Sequence, residues 1–348
     1  MNTHRIGRHE NSSQGNVNIA METNSDKFII GTILGKNQTV EIYAGGLRAI
    51  ITVDPENVKA VLATQFVDYG KGPQFNAAWH DFLGDGIFAV DGQQWHDSRQ
   101  LIRPQFIKDR VSDLNTFESH ISTLLPFLED AKVVNFDELM FRYTLDAATQ
   151  FLMGKSVHSL SHNQVEFAQA FNEIQRVQSL ISTMGALGWL VPRKDFHKNL
   201  RILDDFIQPF VDEALSLSQD ELENKSKSDT DYTFLHAIAG YTRDKLVLRD
   251  QLVSTLLAGR DTTAATLSWL FYEISKQPHI VARLREEIKS NVGLDRAPTY
   301  SELKSMSYLQ VTSFFFLFQA SNLFSTAYDQ RNAPFVPSRA LQRPTSPS

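Results

Sequence analysis

The stretch Leu256-Leu257-Ala258-Gly259-Arg260-Asp261-Thr262-Thr263-Ala264-Ala265-Thr266-Leu267 decides how this chain is read. Two local readings are open. A helix could end at Gly259 and a new one start at Asp261 or Thr262. Against that, Leu252, Leu256, Leu267, Leu270 and Ile274 stay in helical phase across the break, so a single helix over 251–275 is the stronger expectation. A mid-helix glycine then costs about 1 kcal/mol, and threonine somewhat less. Locally unfavourable choices of this kind gather at functional sites. A buried threonine hydroxyl there can bond the carbonyl one turn back, bend the helix and open a groove.

A second feature lies upstream, in Trp95-His96-Asp97-Ser98-Arg99 after Gly92. Residues four apart share a helix face, so the Trp95 indole and the Arg99 guanidinium can grip one carboxylate between them. A buried Trp95 with the Arg99 stem laid across it would give the same pattern. Other patterns carry less. His158 and His162 have metal-ligand spacing, but their Ser-rich surroundings read as a loop without a carboxylate ligand. Gly84-Asp85-Gly86-Ile87-Phe88-Ala89 fits a dinucleotide fingerprint only formally, because Asp91-Gly92 follows it rather than a helix. Asp204-Asp205 and Glu286-Glu287 read as solvated helix faces.

Working outward, Thr39–Tyr43 and Arg48–Val53 are two strands about a Gly45-Gly46 turn, a predicted hairpin. Asp54-Pro55 caps a helix expected over Pro55–Ala63. From about Asn115 onward most segments have helical period. Phe136, Met140, Tyr143, Ala147 and Phe151 form one stripe that Gly154 ends, and Phe206–Leu215 forms another. Lys225–Thr230 reads as a polar loop. The fold class is therefore mainly α with a small β-sheet near the N-terminus.

Composition sets limits. The 348 residues carry a net charge of −6 and no long basic run, which leaves nucleic-acid binding without electrostatic support. No apolar run is long enough for a transmembrane helix. The cysteine count is zero, which excludes disulfides, zinc-thiolate sites, iron–sulfur clusters, thiol nucleophiles and a thiolate-ligated haem within these residues. Met1–Asp26 is polar and reads as a disordered lead-in, residues 27–310 as the body. After Gln310 the text changes: the remaining 38 residues hold no Lys and no Glu, but six Phe, six Ser and four Pro. Residues 311–348 are expected to be a disordered tail outside the compact body.

Together these residues resemble the cytochrome P-450 superfamily, the haem-thiolate monooxygenases. Ala258-Gly259-Arg260-Asp261-Thr262-Thr263 matches the family's central-helix motif, and Trp95 and Arg99 match its WxxxR. Asp54-Pro55-Glu56-Asn57, Gly84-Asp85-Gly86-Ile87-Phe88 and Arg103-Pro104-Gln105-Phe106 agree with it. Thr144-Leu145-Asp146-Ala147-Ala148-Thr149 looks like the fungal type that hydroxylates alkanes or fatty acids. The resemblance runs from about Phe28 to Gln310 and implies an incomplete cytochrome P-450 fold. It also implies haem as cofactor, an apolar small-molecule substrate and a flavin reductase as electron donor. Asp261 and Thr262 would be the catalytic proton-handling pair, because oxygen–oxygen cleavage needs protons brought into a dry pocket. Trp95 and Arg99 would hold a haem propionate, and Gly259 would let the haem face approach. Val177–Val191 falls where the family has its substrate-channel, membrane-facing helices.

The departures follow the same text. No Glu occurs after Glu302, so the ExxR signature is absent, and so is the axial cysteine. The expectation is a chain truncated at both ends and catalytically inactive, with no metal ligands of its own. Relatives usually sit at the endoplasmic-reticulum membrane; without an anchor this chain is expected to be cytosolic or peripheral. A soluble helical ligand-binding or interaction protein is the alternative from another class, and a haem titration separates the two.

Overall fold

The computed structural model describes residues 38–314, apart from 45–46, 107–113, 130–132, 163–164, 229–231 and 294–295. Within them the fold is mainly helical, with one two-stranded antiparallel sheet. Strands β1 (Thr39–Ala44) and β2 (Leu47–Thr52) pair from Thr39 opposite Thr52 to Ala44 opposite Leu47. The Gly45-Gly46 turn lies outside the described residues. Thr39 and Thr52 join their hydroxyls at 2.8 Å, and Asn57 Nδ2 donates to both (3.1 and 3.2 Å). That bond ties the sheet to helix α1 (Pro55–Lys59), which Asp54 caps by accepting from the Glu56 amide at 3.0 Å. The helix expected to reach Ala63 widens into a π-helical turn at Ala60–Thr64.

The body begins with α2 (Pro73–Leu83) and α3 (Gly92–Ile102), followed by α4 (Asn115–Glu129). Helix α5 (Phe136–Met153) starts on the Asn135 cap and stops at Gly154, whose φ of 79° is the left-handed conformation glycine adopts freely. Its predicted stripe is buried at Phe136, Met140 and Ala147 and half-buried at Tyr143 and Phe151. Next come α6 (Glu166–Met184), α7 (Lys194–Ser216), α8 (Gln219–Ser228) and α9 (Phe234–Ala239). Helix α10 (Lys245–Ser275) is the axis of the molecule, and α11 (Pro278–Asn291) and α12 (Tyr300–Ser305) follow it. Asp244 starts α10 by accepting from the Leu246 and Val247 amides at 2.8 and 3.3 Å.

At 31 residues, α10 is about 46 Å long. It packs most extensively on α5. Leu248, Leu252, Val253 and Leu256 in its first half are fully buried, in one core with Phe82, Phe171 and Leu203. Burying such side chains contributes roughly 1.5–3 kcal/mol each, which is why this half fixes the fold. The second half is largely half-exposed, and Phe271 and Tyr272 stand in solvent. The helix passes Gly259 without a break, so the two-helix reading of this stretch is not the one formed.

Three further expectations are corrected. Lys225–Ser228 is helical rather than loop. Leu222 is buried beneath α8, Asp220 and Glu221 sit in its first turn, and Lys225 and Lys227 in its last, so the charges suit the helix dipole. Asp204 and Glu287 are not simply solvated. Arg249 Nε donates to Asp204 at 2.9 Å, and Glu287 accepts from the Tyr308 and Leu309 amides at 2.9 and 2.8 Å, the unpaired donors at the start of a helical turn. That turn covers 307–314, so helical character continues past Gln310; residues 315–348 lie outside the described part, as do 1–37.

Candidate functional site

The chain between α2 and α3 crosses the buried half of α10 at very close range. At Gly84, φ is 53°, and a Cβ there would sit 2.1 Å from the Asp250 carboxylate; one at Gly86 would sit 2.1 Å from Ser254 Oγ. This turn is where the formal dinucleotide fingerprint falls, and its glycines serve backbone-to-helix approach. Asp250 Oδ2 accepts from the Asp85 amide at 2.8 Å, and Arg249 Nη1 donates to the Phe82 carbonyl at 2.8 Å. Burial pushes the Asp250 carboxyl above the usual aspartate value, partly offset by the Asp85 amide and Arg249.

Gln251 continues the contact. Its Oε1 accepts from the Ile87 amide at 3.3 Å, and its Nε2 donates to Ser98 Oγ at 2.8 Å. Ser98 is the buried residue of α3, so α3 is held against α10 with Trp95 half-buried and Arg99 exposed. The Arg99 guanidinium lies 5.4 Å from the Trp95 ring centroid, and Phe66 packs on the indole's other neighbourhood at 5.3 Å. Among the described residues Arg99 has no carboxylate partner. The two side chains share one face of α3, as their four-residue spacing requires, with the exposed guanidinium over the half-buried indole.

Two turns further along α10 lie Gly259 and Thr262. Both are exposed. Thr262 Oγ1 donates to the Ala258 carbonyl at 2.7 Å, the expected bond to the preceding turn, but from an exposed hydroxyl in an uninterrupted helix. A Cβ on Gly259 would meet only Ala148 Cβ, at 3.7 Å, so no protein neighbour demands glycine there. Its effect is to leave that helix face flat and open.

Asp261 faces elsewhere. Its Oδ1 accepts from Arg260 Nη1 at 3.0 Å. The Gln175 amide, turned to suit its neighbours, donates to the other Asp261 oxygen and accepts from Arg260 Nη1 at 2.9 Å. Arg260 itself is only 3% exposed. It also donates to Asn172 and lies 5.0 and 5.3 Å from the Phe141 and Phe171 ring centroids. Burial lowers the Arg260 guanidinium's affinity for its proton, while Asp261 and then Asp137 counteract that. Arg260 was missed in the sequence, where an arginine between a glycine and an aspartate looks solvated. Its Nε is buried without a partner, the one unsatisfied group of this cluster's guanidinium. A cleft of about 240 Å³ opens over Arg260 between α5 and α6, with Phe141, Arg142, His162 and Asn172 in its wall. It lies on the far side of α10 from Thr262, two residues being about 200° around a helix. His158 and His162 lie on the turn after α5, as expected for a loop, His158 with a φ of 55°.

Against known families, the Cytochrome P450 model matches residues 35–312. The chain belongs to the cytochrome P450 family. Cytochrome P450 monooxygenase pvhE of Talaromyces variabilis is 48% identical over 289 residues, 78% of this chain and 53% of that protein. Cytochrome P450 52A1 of Candida tropicalis is 41% identical over 299 residues, 79% and 53% of the two chains. Cytochrome P450 52A13 of Debaryomyces hansenii is 38% identical, covering 79% and 56%. The chain thus spans about half the length of the curated relatives it matches, and the relatives are fungal, as the text around Thr144–Thr149 suggests.

Haem is this family's cofactor, and the P450 residues present can be tested against it. Arg99, without a carboxylate partner among the described residues and lying over the Trp95 ring, fits a propionate, and the exposed face at Gly259 and Thr262 fits a flat macrocycle. The axial thiolate is not among these 348 residues. The segment Val177–Val191 divides: Val177, Ile181 and Val191 are buried in the core, whereas Leu187, Trp189 and Leu190 are exposed, Trp189 by 74%. No helix of the described residues is long and apolar enough to cross a membrane.

Proposed function

We propose that this chain is the helical part of a fungal-type P450 monooxygenase that binds haem along α10 and acts on an apolar, lipid-like substrate, residues 27–310 being its family portion. The observation that supports this most is the Trp95–Arg99 edge, fastened through Ser98 to Gln251 on the same helix that carries the open face at Gly259 and Thr262. Trp95 and Arg99 would hold one propionate, the guanidinium supplying charge and the indole N–H a second donor. Gly259 keeps a side chain off the haem face. Thr262 presents its hydroxyl at that face, and Asp261, whose carboxylate Arg260 and Gln175 hold on the α6 side, exchanges protons with solvent on its behalf. Haem bound there would supply dioxygen activation, with electrons from a flavin reductase. The exposed apolar turn at Leu187–Leu190 supports an apolar substrate entering beside α6.

Cysteine is absent from these residues, so the chain acting alone takes up haem without forming the thiolate-ligated centre and does not hydroxylate. A haem titration of the full 348-residue chain, followed by reduction and carbon monoxide, tests this. The expected result is saturable haem uptake, weakened in Arg99→Ala, with no thiolate-type Soret band. A thiolate-type band, or hydroxylation of an alkane by the purified chain, overturns the inactive reading. Absence of haem uptake beside tight binding of an apolar ligand overturns the haem reading in favour of a helical ligand-binding protein.

A further inference from the structure

Gln251 is an unusual residue for its position. It is 2% exposed and sits on α10 beside Leu248, Leu252 and Val253, all three fully buried. A primary amide in such surroundings costs free energy unless its groups are paired. Here both ends are paired, and to segments far away in sequence: Oε1 to the Ile87 amide, Nε2 to Ser98 Oγ. Its neighbours Arg249 and Asp250 fasten the turn at Phe82–Asp85, and Arg249 also reaches Asp204 on α7. Gln251 alone of the three reaches α3.

Where it reaches α3 matters. Ser98 is three residues after Trp95 and one before Arg99, so it is the point about which that exposed pair is carried. Helix α3 is not among the elements that pack extensively on α10. The Gln251–Ser98 hydrogen bond, with its narrow range of length and angle, is a direct tie between them. Gln251 lies eight residues before Gly259, about 12 Å along the helix. This bond thereby restrains where Ser98, and with it the Trp95–Arg99 segment of α3, stands along α10.

We propose that Gln251 is a positioning residue which, through Ser98, sets where the Trp95–Arg99 grip stands relative to the face at Gly259 and Thr262. This rests on the propionate reading above. Gln251 touches no cofactor itself; it acts through α3.

The test compares two probes in the full-length chain: haem, and haem dimethyl ester, whose propionates carry no charge. Soret titration of wild type is expected to favour haem over the ester by roughly tenfold or more, the scale of a charge-assisted hydrogen bond. In Gln251→Leu that preference falls to near unity, with far-UV circular dichroism unchanged. Ser98→Ala removes one hydroxyl and spares the Ile87 contact; it is expected to do the same, and it decides the matter if Gln251→Leu does not fold. Both variants keeping the wild-type preference overturns the inference, as does an equal weakening of both probes, which is what a purely structural role gives. A wild type without any preference overturns the propionate reading, and this inference with it. A preference lost in Arg99→Ala but kept in both tether variants overturns this inference alone.

Discussion

Replacing Gly84 by alanine tests how the turn before α3 is held on α10. The perturbation is one methyl group. Gly84 has φ 53° and ψ −141°, a conformation that L-residues rarely adopt, and holding alanine there costs about 1–3 kcal/mol. The same Cβ would lie 2.1 Å from the Asp250 carboxylate, which is itself held by the Asp85 amide and Arg249 Nη1 (2.8 and 3.1 Å). Over-filling a packed site adds about 1–3 kcal/mol. The expected total is about 4 kcal/mol, a large part of the stability of an ordinary domain. Urea unfolding followed by circular dichroism and tryptophan fluorescence measures it from the shift in midpoint. A second background separates the two causes. In Asp250→Ala the obstacle is gone, so Gly84→Ala there keeps only the backbone cost, about 2 kcal/mol. A loss under 1 kcal/mol in the wild-type background, or equal losses in both backgrounds, refutes the close-approach argument.

Other outcomes follow from single contacts. Phe171 is fully buried, edge-on to Phe82 with ring centroids 5.8 Å apart, and under the Arg260 guanidinium; Phe171→Ala is expected to cost about 3–5 kcal/mol in the same unfolding assay. Trp189 is exposed on a short turn, so Trp189→Ser should move stability by no more than about 0.5 kcal/mol. The Glu302 carboxyl is lowered to about 2, first by the Arg296 guanidinium and then by the Thr299 amide and hydroxyl. A depressed acid stabilises the fold above its unfolded value, here 4.5, and that contribution disappears as pH falls from there toward 2. Carbon-13 NMR titration of Glu302 should give a midpoint near 2 that rises in Arg296→Ala; a wild-type midpoint near 4.5 rules the contact out.

What the sequence made legible was whatever repeats with a period. The stripe from Phe136 to Phe151, the in-phase leucines of α10 and the alternation of β1 all became the elements they suggested, because burial of one face is a property of many residues at once. The edges were harder. Lys225–Ser228 looked like loop because its residues are polar, yet one buried leucine and a favourable order of charges keep it helical. The site divided along the same line. Trp95 and Arg99 were legible as a pair because their spacing alone puts them on one face. Arg260 was not, since burial of a lone arginine depends on Phe141, Phe171 and Asn172, which come from two other helices. Asp261 and Thr262 were read as a joined acid and alcohol because they are adjacent in sequence. Adjacent helical residues diverge by about 100°, and here each turns to a different partner.

That divergence has a consequence for how the site is built. Helix α10 carries four kinds of surface in sequence, and each answers a different need. Its first turns are apolar and bury the core; Arg249, Asp250 and Gln251 interrupt them with polar groups that fasten α2 and α3. Past Leu256, one side, at Arg260 and Asp261, is closed by α5 and α6, while the other, at Gly259 and Thr262, is left bare. A glycine and a back-bonded threonine are weak helix formers, and they persist because the buried half has already fixed the helix. The open face is thus held up by contacts made elsewhere: the leucines supply the energy, and three polar residues set the geometry. A face left exposed apart from Ala148 beside Gly259 depends for its shape on those anchors.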